Sequence, residues 1–277
     1  MITSTKNPRI IDVRKLDHRK HRQRQDRFLV EGLQLLALAM EMQAKAPGKI
    51  VPRDIFYCAD LFTGDTAPRL LAQLTAAGGA PVPVAEHVLN AISDRDTSQG
   101  LAVTFQLSKV EWPIEALLAA IKPGQSPKLV LVLDKLQDPG NLGTLIRTAD
   151  AAGVTAIILL EPCVDAFDPK TVRGTMGSIF TVPFARVQHP AELLPRLAGL
   201  GYRLVGADAP RGQTVWNSTA LAGSVGLVLG NEARGLDPEL QPHIAGYVSL
   251  PLLGHAESLN VSVAGGVLMY EWLRVNE

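Results

Sequence analysis

The feature of this sequence that most constrains its fold is the regular alternation of apolar strand-like runs and helical patterns after residue 127. The run KLVLVLD (128–134) is almost continuously apolar, as expected of a strand buried on both faces. The helical pattern GTLIRTADAAG follows it and closes on Gly153. The runs VTAIILL, SVGLVLG and GYVSLPL repeat the pattern. Because strands joined by helices pair in parallel, we predict an α/β fold whose mostly parallel sheet is covered on both faces.

The N-terminal part of the chain alternates shorter helices and strands, which predicts a smaller α/β domain. Within it, FLVEGLQLLALAMEMQ has apolar residues at helical spacing from Phe28 to Met40 and predicts one amphipathic helix. The next stretch contains one short helical pattern and ends in proline, glycine and serine, which is typical of a connection. We therefore predict a first domain over 1–107, a linker over 108–127 and a second domain over 128–277.

The composition narrows the class of protein. Hydrophobic residues make up 47% of the chain and aromatic residues only 5%, so the core must consist mainly of Leu, Val, Ala and Ile. Cys58 and Cys163 are far apart and match no metal-ligand spacing, which favours buried thiols in a reducing cytoplasm. The sequence has no apolar run of about 18 residues, so no membrane span is predicted. It has no HExxH motif and no Cys/His cluster, so no catalytic metal is predicted.

The charge of the chain is unevenly distributed. The formal net charge is zero, but residues 6–27 contain nine lysines and arginines against three aspartates, which leaves this segment at +6 and the rest at −6. A basic terminal segment predicts contact with nucleic-acid phosphates, and a solvated charged helix is the alternative. The candidate cations are Arg14, Lys15, Arg19, Lys20, Arg22 and Arg24.

Three loops rich in glycine, asparagine and charge follow three of the predicted strands. They are DKLQDPGNLG, GNEARGL and PLLGHAESLN. Ligands of parallel sheets bind outside the carboxyl ends of strands, so three such loops predict one converging pocket. GNEARGL lacks the lysine of a P-loop, and no GxGxxG follows a strand. His255 and Ser258 lack a nucleophile elbow and a third partner, which argues against a hydrolase triad.

The three loops resemble a known family. DPGNLGTLIRTADAAGV, LVLGNEARGL and LPLLGHAESLNVSVA are similar to the three signature motifs of the SpoU RNA ribose methyltransferases of the SPOUT class, in order, within about residues 128–275. FLVEGLQLL and DTSQGLAV resemble, more loosely, the start and end of that family's substrate-binding domain. The resemblance implies a C-terminal SPOUT domain with a deep trefoil knot, a homodimer, S-adenosylmethionine as cofactor and RNA as partner.

The resemblance also implies roles for particular residues. The catalytic set would be Asn141, Arg147, Glu232, Ser258 and Asn260. The cofactor would rest on Leu229, Gly230, Leu250 and Leu259. Lys170 and Arg173, in DPKTVRGTMGSIF, lie in a stretch similar to one found in relatives that act on large ribosomal RNA, and Arg234 is a weaker candidate for RNA contact.

The start of the last helix has two interpretations. A helix beginning at Glu257 or Ser258 would need a cap, and polar side chains there could supply it. Alternatively, they line the site. We predict both functions, with Ser258 and Asn260 facing the site while Leu259 and Val261 face the core.

The predicted function is the transfer of a methyl group from S-adenosylmethionine to a ribose 2′-hydroxyl in structured RNA, with 23S ribosomal RNA first and transfer RNA second. An RNA-binding assembly factor that has lost catalysis is the alternative on the same fold, and the five catalytic candidates argue against it. A small-molecule α/β enzyme is a third hypothesis, which the basic segment disfavours. A cytoplasmic location is expected.

Overall fold

The computed structural model of the chain describes nearly all of its residues. The described ranges are 1–93, 98–216, 218–231 and 234–277.

These residues form two compact units. The first unit contains residues 1–110 and 165–181, and the second contains residues 111–164 and 182–277. These units differ from the predicted boundaries at 107 and 128. The stretch 165–181 lies inside the predicted second domain but packs with the first unit, and residues from 111 onward belong to the second unit rather than to a separate linker.

The elements of residues 1–110 follow one another at short intervals. In chain order they are α1 (Pro8–Arg14), α2 (Arg19–Gln25), β1 (Arg27–Glu31), α3 (Leu33–Lys45), β2 (Pro52–Tyr57), α4 (Thr66–Ala76), β3 (Ala80–Pro83), α5 (Glu86–Ile92), β4 (Leu101–Gln106) and α6 (Leu107–Val110). Short 3-10 turns lie at Lys15–Asp17 and Ala59–Leu61.

The elements of residues 111–277 include the strands of the larger sheet. They are α7 (Ile114–Ala120), β5 (Leu129–Asp134), α8 (Pro139–Ala151), β6 (Ala156–Leu160), α9 (Pro169–Gly174), β7 (Phe184–Val187), α10 (Pro190–Gly199), β8 (Arg203–Ala207), β9 (Gln213–Thr214), β10 (Val225–Leu229), β11 (Gly246–Ser249) and α11 (Val261–Asn276). 3-10 turns lie at Ser178–Phe180 and Pro238–His243.

The sheet of the first unit, within its described residues, has the order β1-β4-β2-β3. The predicted single helix from Phe28 is wrong at its start, because Arg27–Glu31 forms β1 and pairs antiparallel with β4, Phe28 opposite Phe105. The helix begins only after Gly32, whose φ of 104° lies outside the helical region. A chain segment with helical spacing thus becomes a strand because a partner strand is available.

The sheet of the second unit is parallel, as predicted. Its described strands have the order β7-β6-β5-β10-β8-β11-β9, and each pairing between neighbours is parallel. The chain runs outward from β5 through β6 to β7, and later strands add on the other side of β5. The strand order therefore reverses between β5 and β10, and a ligand site is expected outside the carboxyl ends of these strands.

Helices cover the sheet of the second unit and bring the site elements together. Side chains of α7 and α10 pack with alternate residues of β5 and β6 in one apolar cluster. Helix α11 packs against α8. Gly265 permits this close approach, because a Cβ atom there would lie 2.6 Å from Leu229 Cδ1 and 2.7 Å from Leu145 Cδ2. The first turns of α8 and α11 consequently lie side by side.

Three compositional expectations can be compared with the structure. Cys58 and Cys163 are buried and form no disulfide, which confirms the expectation of buried thiols. In the described ranges, no helix combines the length and the apolar character that a membrane span requires. In the same ranges, no three His, Cys, Asp or Glu side chains are grouped as a metal site would need.

Candidate active site

The site begins with the cap of helix α8. Asp138 Oδ1 accepts a hydrogen bond of 2.8 Å from the backbone nitrogen of Asn141, and Pro139 occupies the first helical position. An aspartate cap followed by proline is a favourable helix start, since both satisfy or replace backbone N–H groups that have no helical acceptor. Sequence reasoning missed Asp138, although this Asp-Pro pair is a recognisable signal.

Helix α11 begins with a second side-chain cap. Asn260 Oδ1 accepts hydrogen bonds from Ser262 N at 2.9 Å, Val263 N at 3.4 Å and Ser262 Oγ at 2.6 Å. The helix starts at Val261, so the predicted start at Glu257 or Ser258 is wrong. The predicted core position of Leu259 is also wrong, because this side chain is 41% exposed in the loop before the cap.

The cap of α11 contacts the first turn of α8. Asn260 Nδ2 donates to Asn141 Oδ1 at 2.9 Å, and Ser262 Oγ lies 3.5 Å from the same oxygen. Motifs that are 119 residues apart in sequence therefore share one hydrogen-bonded junction. We call Asn141, Asn260 and Ser262 the cap junction. Ser262 was not predicted, and no pattern in the sequence distinguishes its role from that of an ordinary first-turn serine.

The other predicted catalytic residues are Arg147, Ser258 and Glu232, and none of the described ones belongs to the cap junction. Arg147 follows Asn141 on α8, is exposed, and forms no hydrogen bond or ion pair with any described residue. Ser258 is exposed and lines a cleft instead of joining the cap junction. Glu232 lies outside the described residues.

Asn231 and Gly235 bond to each other in the loop after β10. The backbones of Asn231 and Gly235 exchange two hydrogen bonds of 2.9 Å. Asn231 Nδ2 donates to Lys135 O at 2.8 Å and its Oδ1 accepts from Arg234 N at 3.1 Å. Gly230 is required here, because a Cβ atom would lie 2.3 Å from the Gly235 carbonyl carbon. Asn231 thus joins the second loop to the first. The Asn and Gly residues of the sequence predict a turn here but not this contact between loops.

A cleft of about 360 Å³ opens beside this loop, within the second unit. It is lined by all four predicted cofactor residues, Leu229, Gly230, Leu250 and Leu259. Ser258 also lines it. The volume falls in the range of about 300–1,000 Å³ that is typical of small-ligand sites, and largely apolar walls with a few polar groups suit a nucleoside.

A second cleft, of about 580 Å³, lies on the same loop and is more highly charged. Asp134, at the end of β5, is buried and accepts a hydrogen bond of 2.8 Å from Asp237 N through Oδ2. Burial raises the pKa of Asp134 above its ordinary value. Lys135 pairs with Asp237, and this hydrogen bond lowers the pKa of Asp237 and raises that of Lys135. The sequence analysis assigned no role to these three residues.

The predicted RNA-binding cations do not all remain available. Arg22 is 2% exposed, and its guanidinium donates to Asp165 Oδ2 at 3.1 and 2.8 Å and to Leu16 O at 2.6 Å. All three residues belong to the first unit. The prediction that Arg22 contacts RNA is therefore wrong, because its side chain is enclosed and its charge is already balanced.

The remaining cations of the basic segment lie nearer to solvent. Arg14, Lys20 and Arg24 are exposed, Arg19 is half-buried, and Lys15 forms an exposed ion pair with Asp12. Lys170 is exposed and Arg173 is half-buried, on helix α9, which packs against β1. The first unit therefore contains both groups of predicted RNA-binding cations.

Fold and site together define a class: an α/β protein with a cleft of small-ligand size outside the carboxyl ends of the strands of a parallel sheet. The sequence profile of the SpoU rRNA Methylase family matches residues 128–270, and that of an MRM3-like substrate binding domain matches residues 7–103. A 23S rRNA (guanosine(2553)-2′-O)-methyltransferase, RlmP, from Bacillus subtilis is 33% identical over 269 residues, which cover 97% of each chain.

Solved structures are similar over almost the whole chain. An AdoMet-bound rRNA methyltransferase from Sinorhizobium meliloti superimposes with a TM-score of 0.85 at 33% identity, covering 99% of this chain and 97% of that one. The SpoU methyltransferase AviRb from Streptomyces viridochromogenes, in complex with AdoMet, gives a TM-score of 0.83 at 27% identity, covering 97% and 98%. The chain belongs to the SpoU rRNA methylase family.

Proposed function

We propose that this protein transfers a methyl group from S-adenosylmethionine to a ribose 2′-hydroxyl in 23S ribosomal RNA. The observation that carries the proposal is the cap junction, in which Asn141 and Asn260 meet at 2.9 Å beside a nucleoside-sized cleft and on the helix that bears Arg147. The name of the Bacillus subtilis relative specifies 2′-O-methylation of 23S rRNA. It favours ribosomal over transfer RNA, and an enzyme over an inactive assembly factor.

The cofactor fits the first cleft by the chemistry of its lining. Leu229, Leu250 and Leu259 offer apolar surface to a purine, and Gly230 leaves the backbone accessible beside them. When bound there, S-adenosylmethionine supplies an electrophilic methyl group. The two similar AdoMet-bound structures support this assignment.

Arg147 has the charge that the reaction requires. A guanidinium stays protonated in proteins, so it binds a phosphate next to the target ribose and stabilises negative charge that develops on the 2′-oxygen. It does not remove the hydroxyl proton, which passes to solvent water. Its exposed position and lack of a partner among the described residues leave the guanidinium open to RNA. The hydrogen bonds of the cap junction join the first turns of α8 and α11. Ser258 lines the cleft in which the cofactor would bind. Family likeness assigns Glu232 to support of the second loop.

The first unit binds RNA through phosphates. Its exposed cations Arg14, Lys20 and Arg24, together with Lys15, Arg19, Lys170 and Arg173, supply charge without an aromatic stacking platform in the basic segment.

A second copy of the chain covers the outer face of α11. Val263 and Tyr270 on this helix are 53% and 50% exposed, and they line an apolar groove of about 630 Å³ with Trp216. Exposed apolar faces of this kind mark interaction surfaces. The family likeness supports both this homodimer and a trefoil knot in the second unit. A cytoplasmic location follows from the proposed substrate, since ribosomal RNA is made and used there.

The proposal is tested by methyl transfer from labelled S-adenosylmethionine to unmodified 23S rRNA transcript, followed by mapping of ribose methylations. Arg147→Ala should lower the rate by about 10²–10³-fold, the usual cost of removing one group that stabilises an oxyanion. Arg196→Ala is the matched control, because this exposed arginine pairs with Glu115 away from the cap junction. Activity of a folded Arg147→Ala protein close to that of the unaltered chain would remove Arg147 from the mechanism.

A further inference from the structure

The loop after β8 forms part of the first cleft but belongs to none of the three motifs. Asp208 follows the last residue of β8 and lines the cleft with Ala207, Ala209 and Pro210. Strand β8 lies next to β10 in the sheet, so its carboxyl end opens on the same edge as the second loop. Neither the sequence motifs nor the relatives' names draw attention to this loop.

The backbone of the loop is held tightly. Asp208 N donates to Val248 O at 3.0 Å, and Gly212 N donates to Asp208 O at 2.9 Å. Gly212 is required, because a Cβ atom there would lie 2.4 Å from the Val248 carbonyl carbon and 2.5 Å from Asp208 O. The carboxylate of Asp208 therefore stands on a fixed backbone at the cleft wall.

The side chain of Asp208 is fixed as well. Arg211 donates to Asp208 Oδ2 from Nε at 3.0 Å and from Nη2 at 2.6 Å. Arg211 is held in turn by Gln241 Oε1 at 3.0 Å and by the ring of Tyr247, whose centroid is 4.7 Å from its guanidinium carbon. Burial alone would raise the pKa of Asp208, but the hydrogen bonds from Arg211 outweigh it and hold the pKa below its ordinary value. The group is thus an oriented carboxylate.

One oxygen of this carboxylate keeps unused acceptor capacity. Among the described residues, Oδ1 accepts a single hydrogen bond, from Arg211 N at 2.9 Å. A carboxylate has about four acceptor sites, and the three hydrogen bonds from Arg211 use three of them. The side chain is 11% exposed and the residue lines the cleft, so the remaining capacity can serve a ligand.

We propose that Asp208 accepts a hydrogen bond from a ribose hydroxyl of the S-adenosylmethionine bound in this cleft, an inference that rests on the proposed function. A carboxylate at the end of a parallel strand is the group by which other nucleotide-binding sheets hold a ribose hydroxyl. The neighbouring Arg211 argues against the alternative partner, the cofactor's ammonium group, because a guanidinium at 2.6 Å balances the carboxylate and repels a second cation. A neutral hydroxyl donor meets no such repulsion.

The test is calorimetric binding of S-adenosylhomocysteine and of its 2′-deoxy and 3′-deoxy analogues, with no RNA present. The unaltered protein should bind one deoxy analogue about 10- to 100-fold more weakly than the parent compound, the usual worth of a hydrogen bond to a charged group. Asp208→Ala should weaken binding of the parent by a similar factor and should no longer discriminate against that analogue. Asp208→Asn, which keeps the shape and one oxygen acceptor, should give an intermediate result and covers the case in which the alanine variant does not fold.

Glu115→Ala is the matched control. Glu115 also accepts two hydrogen bonds from one arginine, Arg196, at 2.9 and 2.6 Å, but it does not line the cleft. This variant should bind all three compounds like the unaltered protein. The inference fails if the unaltered protein binds S-adenosylhomocysteine and both deoxy analogues with equal affinity. It also fails if Asp208→Ala and Asp208→Asn discriminate against the deoxy analogue as strongly as the unaltered protein does. If the unaltered protein binds no S-adenosylhomocysteine, the proposed function fails and this inference fails with it.

Discussion

Polar side chains at the candidate active site bond to helix termini and to one another, whereas those of the basic segment separate into buried and exposed groups. In the second unit, Asp138 and Asn260 cap helix starts, and the hydrogen bond between Asn141 and Asn260 joins two motifs. In the first unit, Arg22 is enclosed in an ion pair with Asp165 while Arg24, two residues later on the same helix, is exposed.

A motif and a charge count therefore carry different structural information. A motif with fixed spacing specifies local hydrogen bonds, so its residues arrive at the site together. A count of cations reports only the average field of a segment and does not distinguish a structural arginine from one that meets RNA. Arg22, Arg24 and Arg147 illustrate three separate uses of one side chain: an internal ion pair, a solvent-exposed charge, and an exposed group on α8 that has no partner among the described residues.

The largest expected effect on stability concerns Arg22. Arg22→Ala leaves Asp165 buried without its counter-ion, and breaking a buried pair in this way costs about 3–5 kcal/mol. We expect the free energy of unfolding, measured in denaturant, to fall by that amount. Arg24→Ala on the same helix should change it by less than about 0.5 kcal/mol. Equal losses from the two variants would erase the contrast between buried and exposed arginines.

The Arg22–Asp165 ion pair offers a second control for the comparison of buried and exposed arginines. Replacing both partners, as in Arg22→Met with Asp165→Leu, removes the charges together and should restore most of the stability that the single substitution removes. A double variant as unstable as Arg22→Ala would indicate that the hydrogen bond from the Arg22 side chain to Leu16 O dominates instead.

The next effect concerns the cap junction. Asn260→Ala removes the acceptor for the first backbone N–H groups of α11 and the donor to Asn141, and loss of a cap typically costs about 1 kcal/mol. Ser258→Ala should leave the free energy of unfolding unchanged, because Ser258 is exposed and bonds to no described residue. Thermal or chemical unfolding of both variants makes the comparison. An Asn260→Ala protein as stable as the Ser258→Ala protein would mean that the junction serves chemistry alone.

A smaller effect, visible in its pH dependence, concerns Asp134. Like Asp165 it is buried, but no described residue donates to its Oδ1. Because burial raises its pKa, the stability that Asp134 contributes is fully present below the ordinary aspartate pKa, about 3.9, and is lost as the pH rises through the raised value. Asp134→Asn cannot ionise and keeps an acceptor for Asp237 N. The variant should therefore gain stability relative to the unaltered protein between pH 4 and neutrality.

Asp237→Asn should change stability with pH in the opposite direction to Asp134→Asn. Its hydrogen bond with Lys135 lowers the pKa of Asp237, so its contribution is present above the ordinary pKa and is lost as the pH falls. Stability differences for the two variants should thus change in opposite directions between pH 3 and 7. A difference that is independent of pH for Asp134→Asn would show that its carboxyl group keeps one protonation state over this range.

The exposed cations should have the smallest effect on stability and a clear one on RNA binding. Replacing Arg14, Lys20 and Arg24 by glutamine should leave the free energy of unfolding within about 0.5 kcal/mol. The dependence of RNA affinity on salt should become shallower by about 0.7–0.9 for each phosphate interaction that the substitutions remove. The control replaces three exposed cations elsewhere, Lys45, Lys122 and Arg196. Identical salt slopes for the two triple variants would show that the basic segment is a solvated charged surface that does not contact RNA phosphates.

Sequence patterns predicted the parallel sheet and the site loops well because both depend on short-range rules. Continuous apolar runs separated by helices require parallel pairing, and the strand order bears this out. The four residues assigned to the cofactor do line one cleft. The same rules failed at the start of α11, where Glu257 or Ser258 was expected to begin the helix and Leu259 was expected in the core.

Short-range sequence rules account for the α/β alternation, for the Asp138 cap of α8 and for the hydrogen bonds between Asn231 and Gly235, since each depends on residues within about five positions of one another. Contacts between distant segments made Arg27–Glu31 a strand, placed residues 165–181 in the first unit and buried Arg22. Packing of the loop after β8 beside β10 also placed Asp208 on the wall of the first cleft. These outcomes depend on partners that are distant in the sequence, and a local pattern records neither the partner nor the loss of solvent that its approach causes.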